Sequence, residues 1–293
     1  MSVINTNVKS LIVQNAIKVN NRLMATAMEQ LSTGKKINSA KDDAAGLAVS
    51  ENMTSQIRGL NMAVRNANDG ISLLQTAEGA MIEQTNMLQR MRELSVQAAN
   101  GTLSETQREY LDVEFDALVA EINRIGNNTQ WNGMQLLTGT MGLDGDGAIR
   151  FQVGAGTTQN ETITVTVQRI CTVDNDNAND EGTNPSLLGD FQNLSIADPA
   201  QADDAIDAVD AALDAIANQR AQIGAGINRL TYAADNLSNI SQNTSESRSR
   251  ILDTDYAMAT TELARTQIIQ QASTAVLAQA NAQPQTVLKL LQG

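Results

Sequence analysis

Apolar residues recur every three or four positions along much of the first hundred residues. Over residues 53–88 the repeat passes through Met53, Ile57, Leu60, Val64, Ala67, Ile71, Leu74, Glu78, Met81, Thr85 and Leu88. Spacings of three and four that persist over several heptads indicate the seam of a coiled coil. The pattern therefore predicts one long helix, with Glu78 and Thr85 as polar breaks that fix its register.

The same rhythm returns twice later in the chain. After Thr102 and Ser104, either of which could cap a helix, a stripe runs through Leu111, Phe115, Leu118, Ile122 and Ile125, with a predicted stop at residues 126–128. The late repeat comprises Ile206, Val209, Leu213, Ile216, Arg220, Ile223, Ile227, Leu230, Ala234 and Leu237. We expect the two long heptad segments to pair in antiparallel fashion if the chain doubles back.

The middle of the chain has a different composition. Residues 139–197 hold eight of the nineteen glycines, and residues 149–153 and 163–167 alternate apolar and polar side chains as strands do. The predicted fold is mainly α: a long antiparallel coiled-coil or helical-bundle rod built by both chain halves, with a small β-containing outer insertion. The predicted domains are 1–44 plus 250–293 (inner terminal helices), 45–138 plus 198–249 (rod) and 139–197 (outer insertion).

Both terminal segments are apolar but less regular. Each carries a broad stripe of aliphatic residues, and Pro284 is predicted to interrupt the second stripe before Val287, Leu288, Leu290 and Leu291. An apolar quartet of this kind needs a partner to bury it.

Composition removes most catalytic chemistry. The chain has no His, one Cys and only 2% aromatic residues, so the commonest general base and metal ligand is missing. The acidic runs at residues 144–147 and 174–177 do not fit the EF-hand pattern and are predicted to be solvated turns. We expect no enzyme activity, no catalytic residue, no cofactor and no metal site.

Charge is spread unevenly. The formal net charge is −13, which makes a nucleic-acid partner unexpected. Residues 139–218 contain fourteen acidic residues against Arg150 and Arg169, whereas residues 1–50 carry a small basic excess. The acidic segment predicts a solvated surface. No apolar run approaches the roughly 18 residues of a membrane span, and the first residues lack the pattern of a Sec signal peptide.

Several stretches resemble bacterial flagellin. They are Asn5–Asn7, Leu31–Ala48 (LSTGKKINSAKDDAAGLA), Ala67–Ala80 (ANDGISLLQTAEGA), Leu88–Leu94, Asn132–Leu137, Arg248–Ala257, Gln270–Ala272 and Ala278–Asn281. The resemblance covers roughly residues 1–140 and 200–293. It implies an extracellular structural subunit that self-polymerises into the flagellar filament for swimming motility, after type III export. A hook–filament junction protein of the same flagellar family is the alternative.

The resemblance also implies partners and sites. An export chaperone, a filament cap and junction proteins are expected partners, besides other copies of the chain. The terminal side chains expected to be buried on polymerisation are Val8, Leu11, Ile12, Leu23, Leu31, Leu263, Ile268, Val276, Leu288 and Leu291.

A host Toll-like receptor for flagellin is a further partner implied by the resemblance. Its recognised residues match Gln89, Arg90, Glu93, Leu94, Gln97 and Glu114. With Leu88 on the seam, Arg90, Glu93, Leu94 and Gln97 are predicted to lie off it. The same surface could equally be an ordinary charged helix face or a contact with the next subunit.

Overall fold

The computed structural model describes residues 7–142, 147–156, 161–171 and 194–291, with residues 283–291 as backbone. The elements in chain order are α1 (Val8–Thr33), α2 (Ala44–Ala98), α3 (Glu105–Asn128), β1 (Gln130–Trp131), β2 (Met134–Gln135), β3 (Ala148–Gln152), β4 (Thr162–Thr166), α4 (Pro199–Leu252) and α5 (Tyr256–Leu291). The prediction of a mainly α fold with a small β-containing part is confirmed.

The chain divides into two compact units. A terminal unit comprises Met1–Ile57 and Gln242–Gly293, and a central unit comprises Arg58–Ser241. Helices α2 and α4 each contribute residues to both units. The three-part division of the chain made from the sequence stays a prediction.

The seam of the central unit follows the predicted heptads in one column and departs from them in the other. Leu60, Ala67, Leu74, Met81 and Leu88 are buried on α2 as predicted, as are Val209, Ile216, Ile223, Leu230 and Leu237 on α4. The second buried column lies one residue earlier than predicted over most of both helices, although Ala234 is buried as predicted. It consists of Ala63, Gly70, Ala77 and Gln84 on α2 and of Ala205, Ala212, Gln219 and Gly226 on α4.

Side-chain size explains this shift. Apart from Gln84 and Gln219 this column consists of Ala and Gly, while the larger Val64 and Ile71 pack against the core from its flank. Glu78 and Arg220, both predicted on the seam, also lie on the flank, where their side chains form a 3.9 Å ion pair. The glycines of this column therefore leave room for the side chains that pack against them, those of the hairpin included.

The β3–β4 hairpin packs into this core. The two strands pair antiparallel, with Phe151 opposite Ile163, which confirms both strand predictions. A Cβ at Gly70 would lie 2.8 Å from the ring of Phe151, and one at Gly226 would lie 2.8 Å from a methyl group of Val165. The inner face of the hairpin is thus part of the central core, so the expectation that the whole middle segment faces solvent is wrong for these strands.

Helix α3 begins and ends where the sequence places it. Ser104 is the N-cap, and its backbone N–H donates to Gln107 Oε1 at 3.0 Å. The predicted stop at residues 126–128 is confirmed, because the helix runs through Gly126 and ends at Asn128. Gly126 is buried against Cys171, so here the glycine serves helix packing instead of helix termination.

In the terminal unit, α1 and α5 form an antiparallel pair. Among the described helices, only these two have Cα atoms within 8 Å of each other along much of their length. Their buried residues are small or polar: Ser10, Asn20 and Ala27 on α1, and Ala259, Thr266 and Ala280 on α5. Pro284, predicted to interrupt the apolar stripe, does not end the helix, because α5 continues to Leu291.

Candidate assembly surface

Helices α1 and α5 leave large aliphatic side chains in solvent. Ile12 is 63% exposed and Ile268 is 66% exposed. The other exposed members of this set are Val8, Leu11, Val19, Leu23, Met28, Tyr256, Met258, Ile269 and Val276. We call this set the terminal apolar face. A large number of exposed aliphatic side chains on one pair of helices is typical of an interaction site.

The narrow contact between the helices explains why these residues stay exposed. A seam of Ala, Ser, Asn and Thr brings the two backbones close together, so only a thin strip of each helix is covered. A shallow groove of about 330 Å³ runs beside this strip and is lined by Lys9, Ile12, Val13, Val276, Gln279 and Ala280. The aliphatic residues therefore line a surface of the pair and contribute little to its interior.

Polar contacts hold the pair in one alignment. Asn20 is 5% exposed, and its Nδ2 donates to the Thr266 carbonyl at 2.8 Å. Asn7 Nδ2 donates to the Ala280 carbonyl at 2.8 Å, while Asn7 Oδ1 accepts the Ser10 N–H and so caps α1. Beyond the end of α1, Lys36 N–H donates to the Leu252 carbonyl at 2.7 Å and Thr254 N–H to the Gly34 carbonyl at 3.0 Å.

Most of the predicted polymerisation residues lie on the terminal apolar face. Val8, Leu11, Ile12, Leu23, Ile268 and Val276 are exposed, whereas Leu31 and Leu263 are half-buried. The side chains of Leu288 and Leu291 lie outside the described residues. Their burial by neighbouring subunits stays a prediction.

A second surface lies on α2, between two arginines that reach in opposite directions. Arg90 donates from Nε to Glu114 of α3 at 2.9 Å and from Nη1 to Glu93 at 3.0 Å. Arg92 makes a two-point contact with Asp210 of α4, at 2.6 and 3.2 Å. The hydrogen bond from Arg92 holds the pKa of Asp210 below its usual value. These exposed pairs tie α2 to a neighbour on each flank.

The predicted receptor residues do not all lie on that surface. Gln89, Arg90, Glu93, Gln97 and Glu114 are exposed, and the Arg90 pairs bring three of them together. Leu94 is fully buried in the central core. Its predicted position off the seam is wrong, because the buried face of α2 widens here to include Leu94 beside Met91, Ser95 and Ala98.

Comparison with known proteins decides the family. A family model described as the bacterial flagellin N-terminal helical region matches residues 4–142, and one described as the bacterial flagellin C-terminal helical region matches residues 206–291. The chain belongs to the bacterial flagellin family. It is 42% identical to a flagellar filament 30.7 kDa core protein of Treponema maltophilum, over 99% of each chain. It is also 42% identical to a flagellin of Halalkalibacterium halodurans, over 99% of this chain and 100% of that one.

Similarity to a solved structure supports the fold of the chain but not its function. A structure described as a flagellar hook-associated protein of Vibrio parahaemolyticus aligns over 72% of this chain and 100% of that one, with a TM-score of 0.56 and 16% identity. The full-length flagellin relatives support a structural subunit of the flagellar filament, an extracellular appendage, and they give no support to the junction-protein alternative.

This flagellin offers little for other chemistry. In the part of the chain that the structure describes, no group of three or more acidic or cysteine side chains could hold a metal ion. No described helix combines the length and the hydropathy needed to cross a membrane. Cys171 is buried. Asp144, Asp146 and the acidic run at 174–177 lie outside the described residues.

Proposed function

We propose that this flagellin polymerises by burying its terminal apolar face against other copies of the chain. The exposure of Ile12 and Ile268, together with the groove beside Val276, is the observation that carries the proposal. Each fully buried aliphatic side chain stabilises an assembly by roughly 1.5–3 kcal/mol. Several such side chains on each subunit are enough to hold a polymer in which the same contact is repeated.

The distribution of charge supports the same assignment. The terminal unit carries ten basic and eight acidic residues, whereas the central unit carries ten basic and 25 acidic residues. Close packing of many copies is tolerated by a nearly neutral surface and opposed by a strongly acidic one. The terminal unit is therefore the better suited of the two to close contact between subunits.

Point substitutions test this proposal. The double variant Ile12→Ser, Ile268→Ser should reduce seeded polymerisation at least tenfold, measured by sedimentation and electron microscopy. Tyr110→Ser, Val113→Ser is the matched control, since both residues are large and exposed but belong to the central unit. Normal filaments from the first variant would show that polymerisation does not depend on the terminal apolar face.

A tail deletion extends the test to residues that the point variants do not reach. Removing residues 284–293 should block polymerisation and leave the thermal unfolding of the central unit unchanged. Unimpaired filaments from this deletion would exclude the tail from the assembly contacts.

The export route and the partners expected of this family follow from a role as filament subunit. The chain acts as a non-enzymatic subunit, leaves the cell through the flagellar type III apparatus, and meets an export chaperone, the filament cap and junction proteins. Deleting the export apparatus of a flagellated host should retain the chain inside the cell. Secretion that is unchanged in that host would contradict the route.

Recognition of the monomer by a host Toll-like receptor is a second proposal, and the Arg90 cluster supports it. Arg90, Glu93 and Glu114 form an exposed three-residue ion-pair group that joins two helices. A planar guanidinium held in place by two carboxylates suits an interface anchor. In this proposal Leu94 does not contact the receptor and only stabilises the fold, because its side chain is buried.

Substitution of each of the two arginines of α2 tests recognition by the receptor. Arg90→Ala monomer should signal at least tenfold more weakly in receptor-reporter cells than wild type, and intact filaments should signal weakly. Arg92→Ala is the matched control, since it also breaks an exposed ion pair to a neighbouring helix. Equal signalling by both variants would leave Arg90 as ordinary helix surface. Leu94→Ala is unsuitable, because truncating a buried Leu destabilises by about 2–5 kcal/mol.

A further inference from the structure

Pro284 leaves one carbonyl of α5 without its usual helical donor. A proline has no backbone N–H, so it cannot bond the carbonyl four residues earlier, and that carbonyl belongs to Ala280. Pro284 is the only proline in α5. The amide of Asn7 donates to this same carbonyl at 2.8 Å. The residue that caps α1 therefore also supplies the hydrogen bond that the proline withholds from α5.

Asn20 makes a second contact of the same kind. Its amide donates to the Thr266 carbonyl at 2.8 Å and reaches the Gln270 side-chain oxygen at 3.3 Å. Thr266 is itself buried. The two contacts lie thirteen residues apart on α1 and fourteen residues apart on α5, so they mark the same antiparallel alignment twice.

The remaining buried residues of the pair define this alignment only weakly. Ser10, Ala27, Ala259 and Ala280 are small, and a slide of one heptad would bring other small residues, such as Ser273, to the same levels. A heptad corresponds to a shift of roughly 10 Å along a helix. A single buried Asn is a known means of selecting one register in a coiled coil, at some loss of stability.

A shifted register would remove the donor from the Ala280 carbonyl and the Gln270 contact from Asn20. Asn7 would face residue 273 or 287, whose carbonyls lie four residues before Leu277 and Leu291, both of which have an N–H to donate. Asn20 would find a carbonyl at Ala259 or Ser273 as it does at Thr266, but Leu263 or Leu277 would take the place of Gln270, so its contact with a side-chain oxygen would be lost. An amide that loses its partner in a buried position destabilises the arrangement that contains it.

We propose that Asn7, Asn20 and Pro284 together set the register of the α1–α5 pair, and so decide which residues form the terminal apolar face. The proposal rests on the assembly function proposed above, because the face is built from both helices. A slide of one heptad would move the aliphatic residues of α5 relative to those of α1 and would present a different surface to neighbouring subunits.

Intramolecular cross-linking measures the register. In a Cys171→Ala background, Val13→Cys with Val276→Cys reports the observed register, since both residues line one groove. Val13→Cys with Ile269→Cys reports a slide of one heptad. Each pair is treated with a thiol reagent shorter than the heptad step, in filaments grown with an excess of unmodified wild-type subunits, so that cross-links form within one chain.

The variants separate register from stability. Asn7→Asp keeps the capping oxygen and removes the donor. Asn20→Leu replaces the amide by an apolar side chain of similar size. Pro284→Ala restores the helical donor to the Ala280 carbonyl. Each should raise the ratio of shifted to observed cross-links, by roughly tenfold for a lost hydrogen bond. Asn21→Leu, at the neighbouring exposed position, should leave the ratio unchanged.

A loss of packing alone would lower both cross-links together and leave their ratio unchanged. An unchanged ratio in all three variants would overturn the proposal, even if their filaments were unstable. Failure of the wild-type chain to polymerise would instead overturn the proposed function, so the two failures can be told apart.

Discussion

The terminal and central units solve the packing of long helices in opposite ways. The central unit buries Leu, Met, Ile and Phe side chains, and its ion pairs lie on the flanks. The α1–α5 pair of the terminal unit buries Ala, Ser, Asn and Thr and leaves Leu and Ile exposed, although the unit also buries Ile37 and Ile57 outside that pair. The first arrangement is complete within one chain. The second leaves apolar side chains exposed, and a subunit that polymerises needs such a surface to bury against its neighbours.

The two units also differ in what defines the register of their helices. In the central unit, interdigitating side chains of different sizes define the register, and the polar groups add little to it. In the terminal unit the interface is close but nearly featureless, so the amides of Asn7 and Asn20 define the alignment. Buried polar groups are most useful for specificity where apolar packing cannot discriminate between registers.

The largest expected effect lies in the core of the central unit. Phe115 is fully buried between the helices, and Phe115→Ala should lower the free energy of unfolding by about 3–5 kcal/mol. Urea unfolding of the soluble chain, followed by circular dichroism, measures it. Val113→Ala, two residues earlier and exposed, should change that free energy by less than about 0.5 kcal/mol. Similar effects from both variants would contradict the assignment of a large-residue core to this unit.

A smaller effect is expected from the buried amide of the central unit. Gln84 Nε2 donates to the Ile122 carbonyl at 3.2 Å, while Gln84 Oε1 has no hydrogen-bond partner among the described residues. Gln84→Leu removes one hydrogen bond together with one unpaired acceptor, so the free energy of unfolding should change by less than about 1 kcal/mol. Gln89→Leu, on the exposed face of α2, is the control for the added apolar side chain.

Gln84→Leu can be compared directly with Asn20→Leu. We expect the first to be nearly neutral and the second to change the register of its helix pair. A large loss of stability in Gln84→Leu would show that the central unit depends on its buried amide as much as the terminal unit does, and the contrast between them would fail.

The smallest effect concerns pH. Because Arg92 lowers the pKa of Asp210 in the folded chain, the pair contributes stability above the pKa of an unfolded Asp, near 3.9. That contribution is lost as the pH falls through the lower, folded pKa. Asp210→Asn should therefore be slightly less stable than wild type at neutral pH and equal to it in strong acid.

The acid unfolding of Asp210→Asn needs a control for the removal of a charge. Asp214→Asn is suitable, since Asp214 lies one turn further along α4 and is exposed. The difference between Asp210→Asn and wild type should also shrink in high salt, because the pair is exposed. A difference that persists unchanged at low pH would exclude the Arg92 contact as its cause.

The sequence was sufficient to predict the helical segments, the β3 and β4 strands, and one of the two seam columns. The other column was misplaced because Val64 and Ile71 are more hydrophobic than Ala63 and Gly70, although the smaller pair fits the centre of the interface. Spacing reports hydrophobicity along one helix. It does not report how closely the neighbouring helix and hairpin approach.

Other features needed tertiary contacts to be recognised. Pro284 is compatible with a helix here because Asn7, distant in sequence, bonds the carbonyl that the proline leaves free. Leu94 is buried because the covered face of α2 widens near its end to include Met91, Leu94, Ser95 and Ala98. The β1–β2 hairpin had a local signal that was overlooked: Asn132 and Gly133, both at positive φ, form the Asn-Gly turn typical of two-residue hairpins.

Hydrogen exchange on the soluble chain and on the filament tests the central claim most directly. Residues 60–98 of α2 and 202–237 of α4 should be protected in both forms, because the core of the central unit is complete within one chain. Helices α1 and α5 should exchange rapidly in the soluble chain and become strongly protected in the filament, where neighbouring subunits cover the terminal apolar face. Strong protection of α1 and α5 in the soluble chain, with no further change on polymerisation, would contradict the account.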